Sequence, residues 1–382
     1  MTSTKLKNVL DLFCGAGGLS SGFARAGYNI VTGVDNNEHS IDTFDANHDC
    51  KPIVADIEEE NILDRIRDSI QANGYSCHDI DIVVGGPPCR GFSMANVQSN
   101  PEENPLNNLP TRFLEIVEEI DPEAVLIENV PRLLTISDGQ YKQMILSKLK
   151  SLGYNVAQGV LKAEKFGVPQ KRRRVFFMGL KLSKPTLPDP SHFEHSFDLP
   201  VTVNEAISDL PPLPTGGGGS IQMEYLTPES GISKYAQEMR RDSKEAIIMN
   251  HRTTANQEKT YRRFKHIPQG GNWRDIPERL MGNYSNRLQT HDHIYQRLIE
   301  EEPSKTVANF RKQMIVHPTQ NRLLSVREAA RLQSFPDDYH FKGGSFNARQ
   351  QMVGDAVPVN LSYAVAKAFT LSLDSTRSIP AE

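Results

Sequence analysis

The feature that most constrains this chain is an alternation, in its first half, of short apolar runs with amphipathic stretches. The runs cover residues 9–13, 30–34, 53–54, 82–84, 124–127 and 175–178. They are short, rich in branched residues and nearly free of polar interruption, which suits strands buried on both faces. Residues 20–26, 40–47, 62–73, 112–120 and 141–151 carry the helical period instead. Strand–helix alternation of this kind predicts an α/β fold built on a doubly wound, mostly parallel sheet. Ligands of such sheets bind outside the carboxyl ends of the strands.

The pattern breaks after residue 182. Prolines at 185, 188, 190 and 200 precede a Pro-Pro-Leu-Pro cluster at 211–214 and four glycines at 216–219, the composition of a linker. From about 220 to 318 the sequence is polar, basic and weakly periodic. Order returns at 325–335, where Ser325 and Glu328 have capping-box spacing, and again at 359–371. With 382 residues the chain has room for one large domain and one small one. The expected division is a domain of residues 1–185 completed by 322–382, with a smaller irregular domain at 186–321.

No apolar run approaches the ~20 residues needed to cross a bilayer, so no membrane partner is expected. The segment from Met1 to Lys7 is short and polar, leaving no room for a signal peptide and making the cytoplasm the expected location. The four cysteines, Cys14, Cys50, Cys77 and Cys89, include no C-x-x-C pair, which argues against a disulfide framework and a structural zinc site. No metal is expected. Formal net charge is −4, but residues 35–81 hold 13 acidic and 3 basic groups, while 161–185 hold 8 basic and 1 acidic, and 250–290 hold 8 basic and 3 acidic. A polyanion would be repelled by the first region and held by the others. Charge runs are as often plain solvated faces.

Residues 11–19 read D-L-F-C-G-A-G-G-L, and Gly15, Gly17 and Gly18 allow a sharp turn and close ligand approach before a helix. The spacing is not that of a dinucleotide fingerprint. Asp35 follows the second strand, where an acid can accept from a ribose diol, and Asp56 follows the third, where it can face an adenine amino group. Singly, each acid is more often a cap or turn residue. Together with the glycine loop they fit a nucleoside ligand without phosphates, such as S-adenosyl-L-methionine. After the fourth strand, residues 85–93 read G-G-P-P-C-R-G-F-S, a rigid loop that holds Cys89 at the sheet's ligand edge. A thiol reacts only when ionised, so Cys89 needs an electropositive setting, which Arg172 and Arg174 of Q-K-R-R-R (170–174) can supply. Glu128, in E-N-V at 128–130, ends the fifth strand; taken alone it is a capping or ion-paired acid as readily as a base-binding one.

In chain order, residues 11–19, 85–93, 128–130, 170–174, R-E-A-A-R-L-Q-S-F-P-D at 327–337 and G-D-A-V-P at 354–358 resemble successive motifs of the DNA (cytosine-5)-methyltransferases of bacterial and phage restriction-modification type. The resemblance covers roughly 8–182 and 322–372. It implies S-adenosyl-L-methionine held by Phe13, Gly15, Gly17, Gly18 and Leu19, with Asp35 on the ribose, Asn36 against the adenine, and Asp56 and Ile57 at its edge. Pro88 and Leu109 would line the pocket, and the turn of Asp355 and Ala356 would close it. The implied catalytic set is Cys89, Glu128, Asn129, Arg172 and Arg174. Cys89 adds to C6 of cytosine, Glu128 serves N3, Asn129 fixes the loop, and Arg174 meets the base carbonyl with Arg172 nearby. The base that removes the C5 proton is a bound water as readily as a side chain.

The substrate so implied is double-stranded DNA with its cytosine flipped out. Two residues depart from the family pattern. Arg90 stands where glutamine is common, placed to fill the gap left in the duplex, and Asp355 stands where asparagine is common. Ser93 also falls to DNA. In this family the segment here numbered 186–321 reads sequence, and Arg252, Arg262, Arg263, Gly270, Gly271, Arg274 and Thr306 are its candidate contacts, whereas Trp273 suits a small-domain core. A cognate restriction endonuclease and a monomeric state are further implications. The tRNA-methylating branch shares the catalytic motifs, but its loop usually continues with proline and phenylalanine rather than Gly91 and Phe92. A catalytically dead DNA-binding relative is the rival from another class, against which every catalytic position is filled.

Overall fold

The computed structural model describes residues 7–88, 109–193, 196–219, 224–226, 231–240, 248–282 and 294–377, with side chains to Ser372. Its strands are β1 (Asn8–Leu12), β2 (Asn29–Asp35), β3 (Ile53–Val54), β4 (Ile82–Gly85), β5 (Ala124–Asn129), β6 (Asn155–Lys162), β7 (Gln170–Lys171), β8 (Arg173–Leu180) and β9 (Ser304–Lys305). The helices are α1 (Gly18–Arg25), α2 (Glu38–Asp45), α3 (Ile62–Ala72), α4 (Leu109–Ile120), α5 (Gln140–Ser151), α6 (Val203–Ile207), α7 (Lys234–Arg240), α8 (Glu258–Phe264), α9 (Val326–Arg331), α10 (Phe346–Asp355) and α11 (Val359–Arg377). None is long and apolar enough to cross a membrane. The chain forms two units, one of Met1–Lys162, Arg173–Phe193 and Leu361–Glu382, the other of Ala163–Arg172 and Glu194–Asn360.

The first unit holds a seven-stranded sheet in the order β3-β2-β1-β4-β5-β8-β6. β1 pairs in parallel with β2 and β4, β2 with β3, and β4 with β5, whereas β8 runs antiparallel to β5 and β6. This is the expected doubly wound, mostly parallel sheet. Every residue of β1, β4 and β5 is buried, as covering both faces requires. Leu10, Leu12, Val83 and Val125 pack with Ile66 and Ile70 of α3, Phe113 and Val117 of α4, and Leu149 of α5. Strand order reverses between β1 and β4, so the loops leaving those two strands flank the point where doubly wound sheets bind ligands. The antiparallel partner β6 has no counterpart among the apolar runs, because Leu161 is its one buried residue.

The second unit has little regular structure: five helices and the two-stranded ladder β7-β9 among its described residues. A small apolar cluster gathers Phe264, Ile267, Trp273, Ile276, Tyr295 and Val316. Buried arginines do the rest. Arg331 bonds Asp209 and Asp337, Arg322 forks onto both oxygens of Glu328, and Arg327 donates to the carbonyls of Met249, Pro336 and Tyr339. Arg297 donates to the carbonyls of Phe264, Ile267, His317 and Gln320 and to Asn321 Oδ1. Ser325 and Glu328 form the anticipated capping box on α9.

These ties set the boundary differently from the sequence. Residues 322–360 belong with the second unit, and so do 163–172; only the chain from Leu361 returns to the first. The physical reason is that Arg322, Arg327 and Arg331 find their carboxylates and carbonyls there. The helix expected over 325–335 stops at Arg331, and Ser334 takes a left-handed backbone (φ 57°).

Candidate active site

Cys89, Arg90 and Ser93 lie outside the described residues, but the stem of their loop does not. Asn129, the last residue of β5, donates from Nδ2 to the Pro87 carbonyl at 2.7 Å, and its Oδ1 accepts from Val130 N at 2.9 Å. A buried side chain thus fixes the backbone two residues before the thiol. Glu128, also buried, faces Arg174 of β8, with Arg174 Nε 2.7 Å from Glu128 Oε1 in an ion pair rather than an aligned hydrogen bond. β5 and β8 are adjacent and antiparallel, which brings these residues together across 46 positions of sequence. The other oxygen, Oε2, lies against Gly86, where an added Cβ would come within 3.0 Å. Arg174 Nη1 also donates to the Arg173 carbonyl. The result is a carboxyl group beside a guanidinium, at the root of the cysteine loop.

Burial changes two other thiols in the opposite sense from activation. It pushes the Cys14 thiol well above its ordinary range, with Asp35 and Asp11 adding to the rise, and pushes Cys50 up to about 12. Both stay protonated at neutral pH and are poor nucleophiles.

Arg172 does not behave as a catalytic side chain. Its guanidinium is 1% exposed within the second unit and donates to the carbonyls of Val307, Gly354 and Ala356 at 3.0–3.2 Å. The correction has a simple cause: the donors are directed at backbone oxygens. Of the expected arginine pair only Arg174 is found with Glu128.

The glycine loop after β1 is built as anticipated. Phe13, Gly15 and Gly17 have positive φ values of 62°, 52° and 81°, and Gly17 precedes the first turn of α1. Asp35 accepts from Gly15 N through Oδ2 and from Asn37 N through Oδ1, both at 2.9 Å, tying the end of β2 to that loop. A carboxylate has about four lone-pair sites, so these bonds orient it without exhausting it. Asn36, exposed, donates to Asp56 Oδ2 at 3.2 Å. Ile57 and Leu109 are buried in one apolar cluster, against which Phe13 packs; Leu19 and Gly18 are buried in α1, and Pro88 is half-buried. The donor set fits a nucleoside: acids for hydroxyl and amino groups, apolar walls for a ring, and no lysine or arginine from Asp11 to Ser20 for a phosphate. Asp355 and Ala356 belong to the second unit; Asp355 is exposed and takes both bonds from Gln351 Nε2, at 2.7 and 2.8 Å.

One acid of this loop carries more than its motif position announced. Asp11 is fully buried, accepts from Ser20 Oγ at 2.6 Å through Oδ2, and has no hydrogen-bond partner for Oδ1. Burial raises its pKa to about 7 against the pull of the Ser20 bond, with the Asp35 charge adding to the rise. An acid in the middle of an otherwise apolar run, residues 9–13, is the signal that could have found it.

The DNA candidates divide. Arg252, Arg262, Arg274 and Thr306 are exposed; Arg262 pairs with Glu258, Arg274 lies 5.2 Å over the Trp273 ring, and Thr306 Oγ1 donates to the Lys171 carbonyl. Gly270 (φ 78°) and Gly271 bond the backbone of Arg297 on either side, in a turn where added Cβ atoms would meet Ile299 and Asp275. Arg263 is instead buried and donates to the Leu280 carbonyl and Tyr295 Oη, so its expected DNA contact is replaced by a packing role. Trp273 is buried in the apolar cluster, as its size suggests.

The family model for C-5 cytosine-specific DNA methylases matches residues 7–370. The Type II methyltransferase M1.HphI of Haemophilus parahaemolyticus is 34% identical over 94% of this chain and 85% of its own length. M.DdeI of Desulfomicrobium norvegicum is 33% identical, covering 94% and 88%. A solved structure, described as a DNA modification methyltransferase encoded within a prophage of E. coli, superposes with a TM-score of 0.73 at 24% identity, covering 96% of this chain and 99% of the other, which supports the fold. The chain therefore belongs to the C-5 cytosine-specific DNA methylase family and is a DNA (cytosine-5)-methyltransferase.

Proposed function

We propose that this enzyme methylates C5 of a cytosine flipped out of a specific duplex sequence, through a transient bond between Cys89 and C6. The observation that carries the reading is the buried Glu128–Arg174 pair, with Glu128 Oε2 against Gly86 of the cysteine loop. S-adenosyl-L-methionine, the donor implied by the family, supplies an electrophilic methyl group when bound. Cys89 thiolate adds to C6, forming a C–S bond and moving electron density onto C5. Glu128 holds or donates a proton at N3 so that negative charge does not accumulate on the ring. Arg174 orients Glu128 and contacts the base carbonyl. Asn129 holds the loop through Pro87. C5 accepts the methyl, a base takes the C5 proton, and the C–S electrons return to Cys89.

Phe13, Gly15, Gly17, Gly18, Leu19, Asp35, Asn36, Asp56, Ile57, Pro88 and Leu109 are the proposed cofactor contacts, with Asp355 and Ala356. Arg90, Ser93, Arg252, Arg262, Gly270, Gly271, Arg274 and Thr306 are proposed to meet DNA. The Type II relatives support a bacterial restriction-modification role; a cognate endonuclease, a cytoplasmic location and a monomeric enzyme are proposed with it.

Duplex DNA containing 5-fluorocytosine, which cannot lose a C5 proton, tests the mechanism. With S-adenosyl-L-methionine present the wild type forms a denaturation-resistant adduct and Cys89→Ala forms none. An adduct with Cys89→Ala shows that another group attacks. Methyl transfer to tRNA alone would overturn the DNA reading. Bisulfite sequencing of DNA from expressing cells identifies the site.

A further inference from the structure

We propose that Arg172 is a positioning residue that locks the Asp355–Ala356 turn to the segment of Thr306 and Val307 that follows β9, so that cofactor at the turn and DNA at that segment strengthen each other's binding. The inference rests on the proposed roles of that turn and of Thr306. One guanidinium donates to Val307 O on one side and to Gly354 O and Ala356 O on the other. Gln170 repeats the bridge: its Oε1 accepts from Val307 N at 3.0 Å, and its Nε2 donates to Gln333 Oε1, while Gln333 donates onward to Val353 O. The two segments are in contact, because a Cβ on Gly354 would stand 2.0 Å from Ala308 O. Beyond Arg172, Asn309 bonds Gln351, and Gln351 bonds both oxygens of Asp355. Thr306 is tied in through the carbonyl of Lys171, the neighbour of Arg172.

A shift of the turn therefore breaks buried bonds that also hold the Thr306–Val307 segment. Carbonyls left without donors in a buried setting are costly, so the segments hold one arrangement together or lose it together. A ligand that fixes either segment lowers the cost of ordering the other, and the coupling is reciprocal. Arginine is required because its planar fork reaches three oxygens, whereas a lysine presents one point charge.

The test measures affinity for a duplex carrying the methylated site, with and without saturating S-adenosylhomocysteine, at fixed salt. Wild type is expected to bind DNA about 5–150-fold more tightly with the ligand, the usual span of such couplings. In Arg172→Met that ratio falls towards one while calorimetry still detects each ligand alone. A folded Arg172→Met that keeps the wild-type ratio overturns the proposal. If that variant does not fold, Gln351→Ala decides: a reduced ratio supports the relay and an unchanged one refutes it. Wild type that binds each ligand without coupling sinks this inference alone, whereas wild type that fails to bind S-adenosylhomocysteine sinks the cofactor reading beneath it.

Discussion

The two units bury different kinds of side chain. In the first, the largest fully buried groups are Phe23, Phe44, Phe113, Phe176 and Phe177, packed around a sheet. In the second, alongside Tyr235, Tyr295 and Phe166, they are Arg172, Arg322, Arg327 and Arg331. Hydrophobic burial is non-directional and scales with area, so the first unit needs only the right pattern. A buried guanidinium is stable only with its donors aimed at oxygens, so the second unit depends on particular angles and partners. Geometry of that kind specifies an irregular backbone that no repeating pattern would hold.

The largest expected effect breaks this contrast directly. Arg331→Met leaves Asp337 buried without its paired cation and Asp209 with Arg240 alone, a loss of about 3–5 kcal/mol. Trp273, the only tryptophan, reports the second unit alone, so its fluorescence should lose the native signal at lower denaturant concentration. Unchanged unfolding would mean that the arginine network contributes nothing to stability.

The contrast also predicts opposite pH slopes. Burial lowers His317 to about 4, and His251 in the same direction. The folded second unit then binds fewer protons than the unfolded chain, and loses stability as pH falls from about 6.5 towards 4. Burial opposes ionisation of Glu328, yet Arg322 and His317 hold it below its usual range, which adds to the loss at still lower pH. Asp11, raised to about 7, works the other way: the folded first unit binds more protons, and loses stability as pH rises from about 4 to 7. Each slope integrates to on the order of 3–4 kcal/mol. Hydrogen exchange between pH 4.5 and 7 (roughly the window in which both groups titrate) should show protection moving in opposite directions in the two units. Asp11→Asn should flatten only the first. Parallel slopes would discard the comparison.

The smallest effects fall on the exposed cations. Arg262→Ala and Arg274→Ala should change stability by under about 0.5 kcal/mol. If each meets one phosphate, the slope of log affinity against log salt drops by about one. Arg263→Ala, of the same residue type, should instead destabilise the second unit, since Leu280 O and Tyr295 lose their donor.

Legibility follows the same division. The parallel strands, the glycine loop with Asp35, and the buried place of Trp273 could be read because apolar periodicity and turn chemistry are local. β6 could not, since an edge strand with Leu161 alone buried has almost no apolar signature. Glu128 and Arg174 were legible as residues, but their pairing depends on β8 running antiparallel to β5. Arg172 and Arg263 misled because a basic side chain reads as surface, whereas the carbonyls that receive them come from distant segments. The ties of Arg322, Arg327 and Arg331 likewise moved the unit boundary to Asn360.

α11 closes the first unit in a way that bears on how the protein is made. Ser362 Oγ donates to the Leu19 carbonyl at 2.6 Å, Tyr28 Oη to Ala366 O, and Phe23 stacks with Phe369. Gly22 leaves room for Ser362 that no larger residue would. On a ribosome adding about 5–20 residues per second, α1 waits tens of seconds for that cover. The glycine loop is thus synthesised well before the helix that seals it. Translation therefore delivers the second unit, and with it the buried arginines Arg172, Arg322, Arg327 and Arg331, before the first unit can finish folding.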